Sequence, residues 1–150
     1  MKNILIVSLL LTAIACAAPP KRIAAIVTEY RHNSHADVIV GRLLQTYTLD
    51  DKGKQPNLKL VSLYTDQVPK NDTSRKWAAK YGVPIYETVE ETLTLGTGKL
   101  AVDGVLLVAE HGQYPKNATG NTIFPKRRLF NEVQKVFRKT GQVAPMFVDK

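Results

Sequence analysis

The chain has 150 residues, 44% apolar and 23% charged, with a formal net charge of +8. This is the composition of an ordinary globular domain with a real core, and it excludes collagen-like, low-complexity and disordered classes. Cys16 is the single cysteine, so an internal disulfide is excluded as well.

The first element is a leader. Lys2 gives a positive start, residues 4–14 an apolar run, and Ala15-Cys16-Ala17 a small-residue cleavage site. The run is too short for a membrane-spanning helix, so residues 1–18 are expected to be an export signal. The stretch from Thr12 to Cys16 also fits a bacterial lipobox, which would lipidate Cys16 and tether the chain to a membrane. The expected location is therefore periplasmic, or lipid-anchored at the cell envelope. Residues 19–150 are expected to form one domain.

Within that domain the elements alternate. Residues 22–28 form a short apolar run that suits a central strand. Residues 35–47 carry Val38, Ile39, Leu43 and Leu44 at helical spacing. Residues 57–65 read as a second strand, bounded by Pro56 and Pro69. Thr73 or Ser74 caps a helix with Trp77, Ala78 and Tyr81 on one stripe, and Gly82 sits where a left-handed cap would end it. Residues 83–86 form a brief third strand. Thr88 and Glu91 have the spacing of a capping box for the next helix. Residues 102–109 are nearly all apolar, as a parallel strand covered on both faces must be. A last helix buries Leu129, Val133, Val136 and Phe137, and residues 143–148 form a fifth strand. The basic residues of that helix, from Lys126 to Lys139, read as its solvated face. The expected fold is α/β: a Rossmann-like, mostly parallel five-stranded sheet with helices on both faces.

In such sheets ligands bind outside the carboxyl ends of the strands. The chemistry-bearing residues of this chain gather there by position. Thr28, Glu29, Arg31, His32 and His35 follow the first strand, Asp66 closes the second, Glu110 and His111 follow the fourth, and Asp149-Lys150 follow the fifth. Glu29, His32, His35, Asp66, Glu110, His111 and Lys150 are expected to converge around one open cleft, because parallel strands present their carboxyl ends to one side. His32-x-x-His35 with Asp66, Glu110 and His111 also offers imidazole and carboxylate ligands of a kind that zinc or manganese accept.

The segment Ala78-Ala79-Lys80-Tyr81-Gly82-Val83-Pro84-Ile85-Tyr86, with Val89-Glu90-Glu91-Thr92-Leu93 and the strand from Val102 to Ala109, resembles the dinucleotide-binding domain of the Gfo/Idh/MocA oxidoreductases. That family runs A-x-x-[FY]-G-V-P-x-Y, then E-E-L-L, then V-D-A-V. It closes on a strand ending Glu-Lys-Pro, to which Met146-Phe147-Val148-Asp149-Lys150 is similar. The resemblance covers residues 22–150 and implies NAD(P)-dependent oxidation and reduction of sugars or polyols. It assigns Lys150 and His111 to the catalytic side of the site. It assigns Thr28, Glu29, Arg31, Asp66 and Glu110 to NAD or NADP, with Asp66 on the ribose hydroxyls. The first loop departs from the family's G-x-G-x-x-G: Thr28 to His35 holds no glycine, and Glu29 repels phosphate there. The family's second, substrate-building domain is expected to be absent from these residues, which would leave the domain inactive by itself. A non-catalytic exported domain binding a small molecule such as a saccharide is the alternative, and a metal-binding domain a further one. An exported protein is not expected to meet nucleic acid.

Overall fold

A computed structural model describes residues 18–149. The leader, Cys16 and Lys150 lie outside the described residues. The elements in chain order are β1 (Lys21–Val27), α1 (His35–Leu44), β2 (Leu58–Thr65), α2 (Ser74–Tyr81), α3 (Val89–Thr94), β3 (Gly104–Val108), α4 (Lys126–Thr140) and β4 (Met146–Val148). The strands form one parallel sheet in the order β2-β1-β3-β4.

Central position explains the apolar character of β1. Ala24 and Ile26 point to one face, where Val89 and Leu93 of α3 and Leu129, Val133, Val136 and Phe137 of α4 cover them. Ala25 and Val27 point to the other, against Ala36, Val40 and Leu44 of α1. β3 divides in the same way, Val105 and Leu107 to the α4 side and Val108 to the α1 side. Each large aliphatic side chain buried in this manner contributes roughly 1.5–3 kcal/mol.

The sheet has four strands where five were expected. Residues 83–86 make one parallel bridge, between Leu63 and Ile85. The Leu63 amide donates to the Pro84 carbonyl at 3.0 Å, and the Tyr86 amide to the Leu63 carbonyl at 3.0 Å. Pro84 has no amide to extend the ladder, and the chain then turns to cap α3. Thr88 accepts from the Glu91 amide at 3.1 Å and donates its hydroxyl to the Glu91 carboxylate at 2.9 Å, so the N-cap half of the expected capping box forms and the carboxylate engages the cap's hydroxyl instead of its backbone amide. β4 begins at Met146 rather than at residue 143, since Val143 is 80% exposed and Pro145 precedes the first paired residue. α1 stops at Leu44, because Gln45 leaves the helical region at φ −96° and ψ −107°. Gly82 caps α2 at φ 65°, the left-handed conformation that glycine takes at least cost.

Candidate functional site at the carboxyl edge

Three connections leave the carboxyl edge of the sheet, after β1, β2 and β3. The one after β1 is held from within. Ser34 Oγ accepts from the Asp37 amide at 3.1 Å, and Asp37 Oδ2 accepts from the Asn33 amide at 3.0 Å. The head of α1 is thus partly capped by its own side chains, with an acidic residue in its first turn. Asn33 sits at φ 58°, which its short polar side chain tolerates. Glu29 is only 8% exposed and pairs with Arg31 at 3.3 Å. Thr28 is fully buried, and its hydroxyl accepts from the His111 amide at 3.3 Å, tying the ends of β1 and β3 together.

Between β1 and β3 the chain order reverses, and this is where the imidazoles meet. His35 turns its Nδ1 toward Asp149 Oδ2 at 2.5 Å, and its ring lies edge-on to His111 with centroids 5.2 Å apart. A carboxylate can only accept, so Nδ1 carries the hydrogen and Nε2 keeps a free lone pair when the ring is neutral. Burial lowers the His111 pKa below the usual histidine value, and the charges of Arg31 and His35 lower it further. His111 is therefore mainly neutral at pH 7. A cleft of about 260 Å³ opens beside His35, lined by Asn33, Ser34, His35, Val38, Ile39 and Asp149, and His111 is not part of its lining.

Asp66 serves a second cluster. Its carboxylate accepts from Tyr64 Oη at 2.8 Å, from Tyr114 Oη at 2.7 Å and from Arg128 Nη2 at 2.6 Å. Partial burial pushes its pKa up, but these donors outweigh burial and hold it below the ordinary carboxylate value. The same arrangement, with burial leading, raises Tyr64 to about 12 and raises Tyr114 as well. Arg128 also reaches Glu132 at 3.0 Å. Together with the Gln67 amide, which donates to the Gln113 carbonyl at 3.0 Å, this cluster fastens the long β3–α4 connection over the end of β2. Gly112 is needed in that connection. It stands at φ 126°, and a Cβ there would meet the Tyr114 ring at 2.5 Å.

The expected residues thus fall into separate groups. His35, His111, Thr28 and the Glu29–Arg31 pair are drawn together around β1 and β3. Asp66 is engaged in the tyrosine–arginine cluster, and Glu110 pairs with Lys126 of α4. His32 is not brought in: its side chain is 84% exposed and lies near Asp37, because the turn at Asn33 carries it outward. Among the described residues no three histidine, cysteine, aspartate or glutamate side chains come together to hold a metal ion. Lys150 lies outside the described residues. The partners of Asp66 were not found by sequence reasoning. Tyr64 had a signal, two positions before Asp66 and so on the same strand face, whereas Tyr114 and Arg128 are distant in sequence and had none. Comparison with known proteins found no matching family model, no similar curated protein and no similar solved structure.

Proposed function

We propose that this is a Rossmann-like domain related to the NAD(P)-dependent Gfo/Idh/MocA oxidoreductases of sugars and polyols, with its working site around His35, His111 and Asp149. The observation that carries the reading is the meeting of these three side chains at the reversal of strand order between β1 and β3. That is where ligands bind in open parallel α/β sheets. Counting the bridged residues 83–86 as a vestigial third strand, the strands, numbered in chain order, run 3-2-1-4-5, the Rossmann order without its sixth strand.

NAD or NADP belongs to this proposal as a ligand of the same edge. The residues fit its ribose end: Asp66 is a carboxylate at the end of β2, although a diol must displace one of its three donors. They do not fit the family's pyrophosphate contact. The amides of Asn33 and Asp37 at the head of α1 are taken, and Glu29 and Asp37 place negative charge there.

The chain's own residues supply acid–base chemistry. Neutral His111 accepts a proton. Asp149 fixes the His35 ring so that Nε2 is the second acceptor. A polyol held against Val38 and Ile39 would lie beside His35, whose Nε2 would accept a hydrogen bond from one of its hydroxyls. We place the domain outside the cytoplasm, on the reading of residues 1–18. The test is a thermal-shift titration of the purified chain with NAD, NADH, NADP, NADPH and a panel of polyols. A shift with a dinucleotide supports the oxidoreductase reading. A shift with polyols alone supports a non-catalytic saccharide-binding domain, which the self-capped head of α1 favours. No shift at millimolar concentrations of either overturns both.

A further inference from the structure

The two ends of the molecule differ in how far their cations are paired. At the carboxyl edge four cations are paired, Arg31 with Glu29, Arg75 with Asp72, Lys126 with Glu110 and Arg128 with Asp66, while Lys70, Lys116 and Arg127 are exposed there without an ion-pair partner among the described residues. The amino edge, where all the parallel strands begin, differs. Lys21 and Arg22 open β1, and Lys59 stands beside Arg22 in register on β2. Lys99 lies in the turn before β3, and Arg138 in the last turn of α4. All are exposed, and none has an ion-pair partner among the described residues. Of the acids of this edge Asp51 is paired with a cation, whereas Asp50 and Asp103 are hydrogen-bonded by neutral groups and keep their charge, fewer than the unpaired cations around them. Asp103 accepts from the Arg22 backbone amide, Asp51 from Lys80 and Tyr81, and Asp50 from Thr48 and the Lys52 amide. Apolar side chains are interspersed with the cations: Val143 is 80% and Leu58 41% exposed.

We propose that this amino edge docks on an anionic lipid surface, leaving the carboxyl-edge cleft turned toward solvent. Unpaired cations spread over one end of the molecule are attracted to acidic headgroups, and each adds to binding within about a Debye length of the surface. Exposed Val143 and Leu58 suit the boundary between headgroups and acyl chains, which a soluble polyanion does not offer. The chain preceding residue 18 also joins the molecule at this edge, through β1. The proposal stands whether or not Cys16 is lipidated, and it does not depend on the cofactor reading.

The test is co-sedimentation of the full chain with phosphatidylglycerol-containing vesicles and with pure phosphatidylcholine vesicles, read as the ratio of the two so that any contribution of the leader cancels. The expected result is a strong preference for the anionic vesicles that is lost on raising NaCl to about 0.5 M. The variant Lys59→Glu/Lys99→Glu/Arg138→Glu should reduce the anionic partition on the order of 100-fold. Lys70→Glu/Lys116→Glu/Arg127→Glu changes net charge equally away from this edge and should retain most of the preference. Equal losses in the two variants, equal binding to both vesicle types, or binding to dextran sulfate without vesicle binding would each overturn the proposal. Circular-dichroism melts establish that the variants fold. If the triple variant does not fold, the single substitutions Lys59→Glu, Lys99→Glu and Arg138→Glu are compared with Lys70→Glu, Lys116→Glu and Arg127→Glu, and equal losses in the two sets overturn the proposal.

Discussion

His35 and Asp149 lie 114 residues apart in the chain and meet at 2.5 Å, Nδ1 to carboxylate. The contact closes the carboxyl edge between the head of α1 and the end of β4. It also selects which imidazole nitrogen carries the hydrogen when the ring is neutral.

That selection is measurable. In the native chain ¹⁵N NMR should find neutral His35 with its hydrogen on Nδ1. In Asp149→Ala the ring should revert toward the Nε2–H tautomer common in free histidine, and polyol-induced shifts at His35 should weaken. An unchanged tautomer in the variant would remove Asp149 from the positioning of His35.

His111 makes a prediction about pH. Its folded pKa is lowered, chiefly by burial, so the unfolded chain binds its proton first as pH falls. Stability should therefore decline as pH drops from about 6.5 toward the folded value, and level off below it. His111→Gln should flatten this part of the stability profile measured by urea unfolding. A profile with the same slope in the variant would assign the pH dependence to other groups.

Asp66 should behave in the same sense at lower pH. Its folded pKa is depressed, so its contribution is fully present above the unfolded carboxylate value and lost as pH falls through the folded one. Asp66→Ala leaves Tyr64, Tyr114 and Arg128 without their shared acceptor and should cost about 1–3 kcal/mol. Hydrogen exchange should speed up in residues 110–124, which this cluster fastens. Protection there equal to the parent's would show that Gln67 and the Glu110–Lys126 pair hold the connection unaided.

Gly112→Ala should release the same fastening by a different route. The added methyl meets the Tyr114 ring, and φ 126° suits no other residue. Tyr114 should leave Asp66, with a loss of about 1–3 kcal/mol from strain and the lost bond. A phenol titration in which Tyr114 keeps its raised pKa in this variant would contradict the close approach.

Leu107, fully buried in the core on the α4 side, is the packing control. Leu107→Ala should cost about 2–5 kcal/mol without altering the His35 tautomer. A change in tautomer would mean that core packing, rather than the Asp149 contact, sets the ring.

The sequence by itself determined the elements whose signals are local. The apolar run of β1, the capping of α3 by Thr88 three residues before Glu91, the glycine cap after Tyr81 and the apolar stripe of α4 each depend on neighbours within a few residues. Periodicity and turn chemistry report such neighbours directly. The parallel α/β class followed from their order, and with it the gathering of Thr28, Glu29, His35 and His111 at one edge. The tertiary structure decided what depends on distant partners. It reduced residues 83–86 to one bridge, because the edge position and Pro84 leave little backbone to pair. It turned His32 outward through the left-handed Asn33. It gave Asp66 to Tyr64, Tyr114 and Arg128, and it joined His35 to Asp149. Contacts across 48, 62 and 114 residues leave no spacing to read in one sequence, since only the packing of the helices on the sheet brings them together.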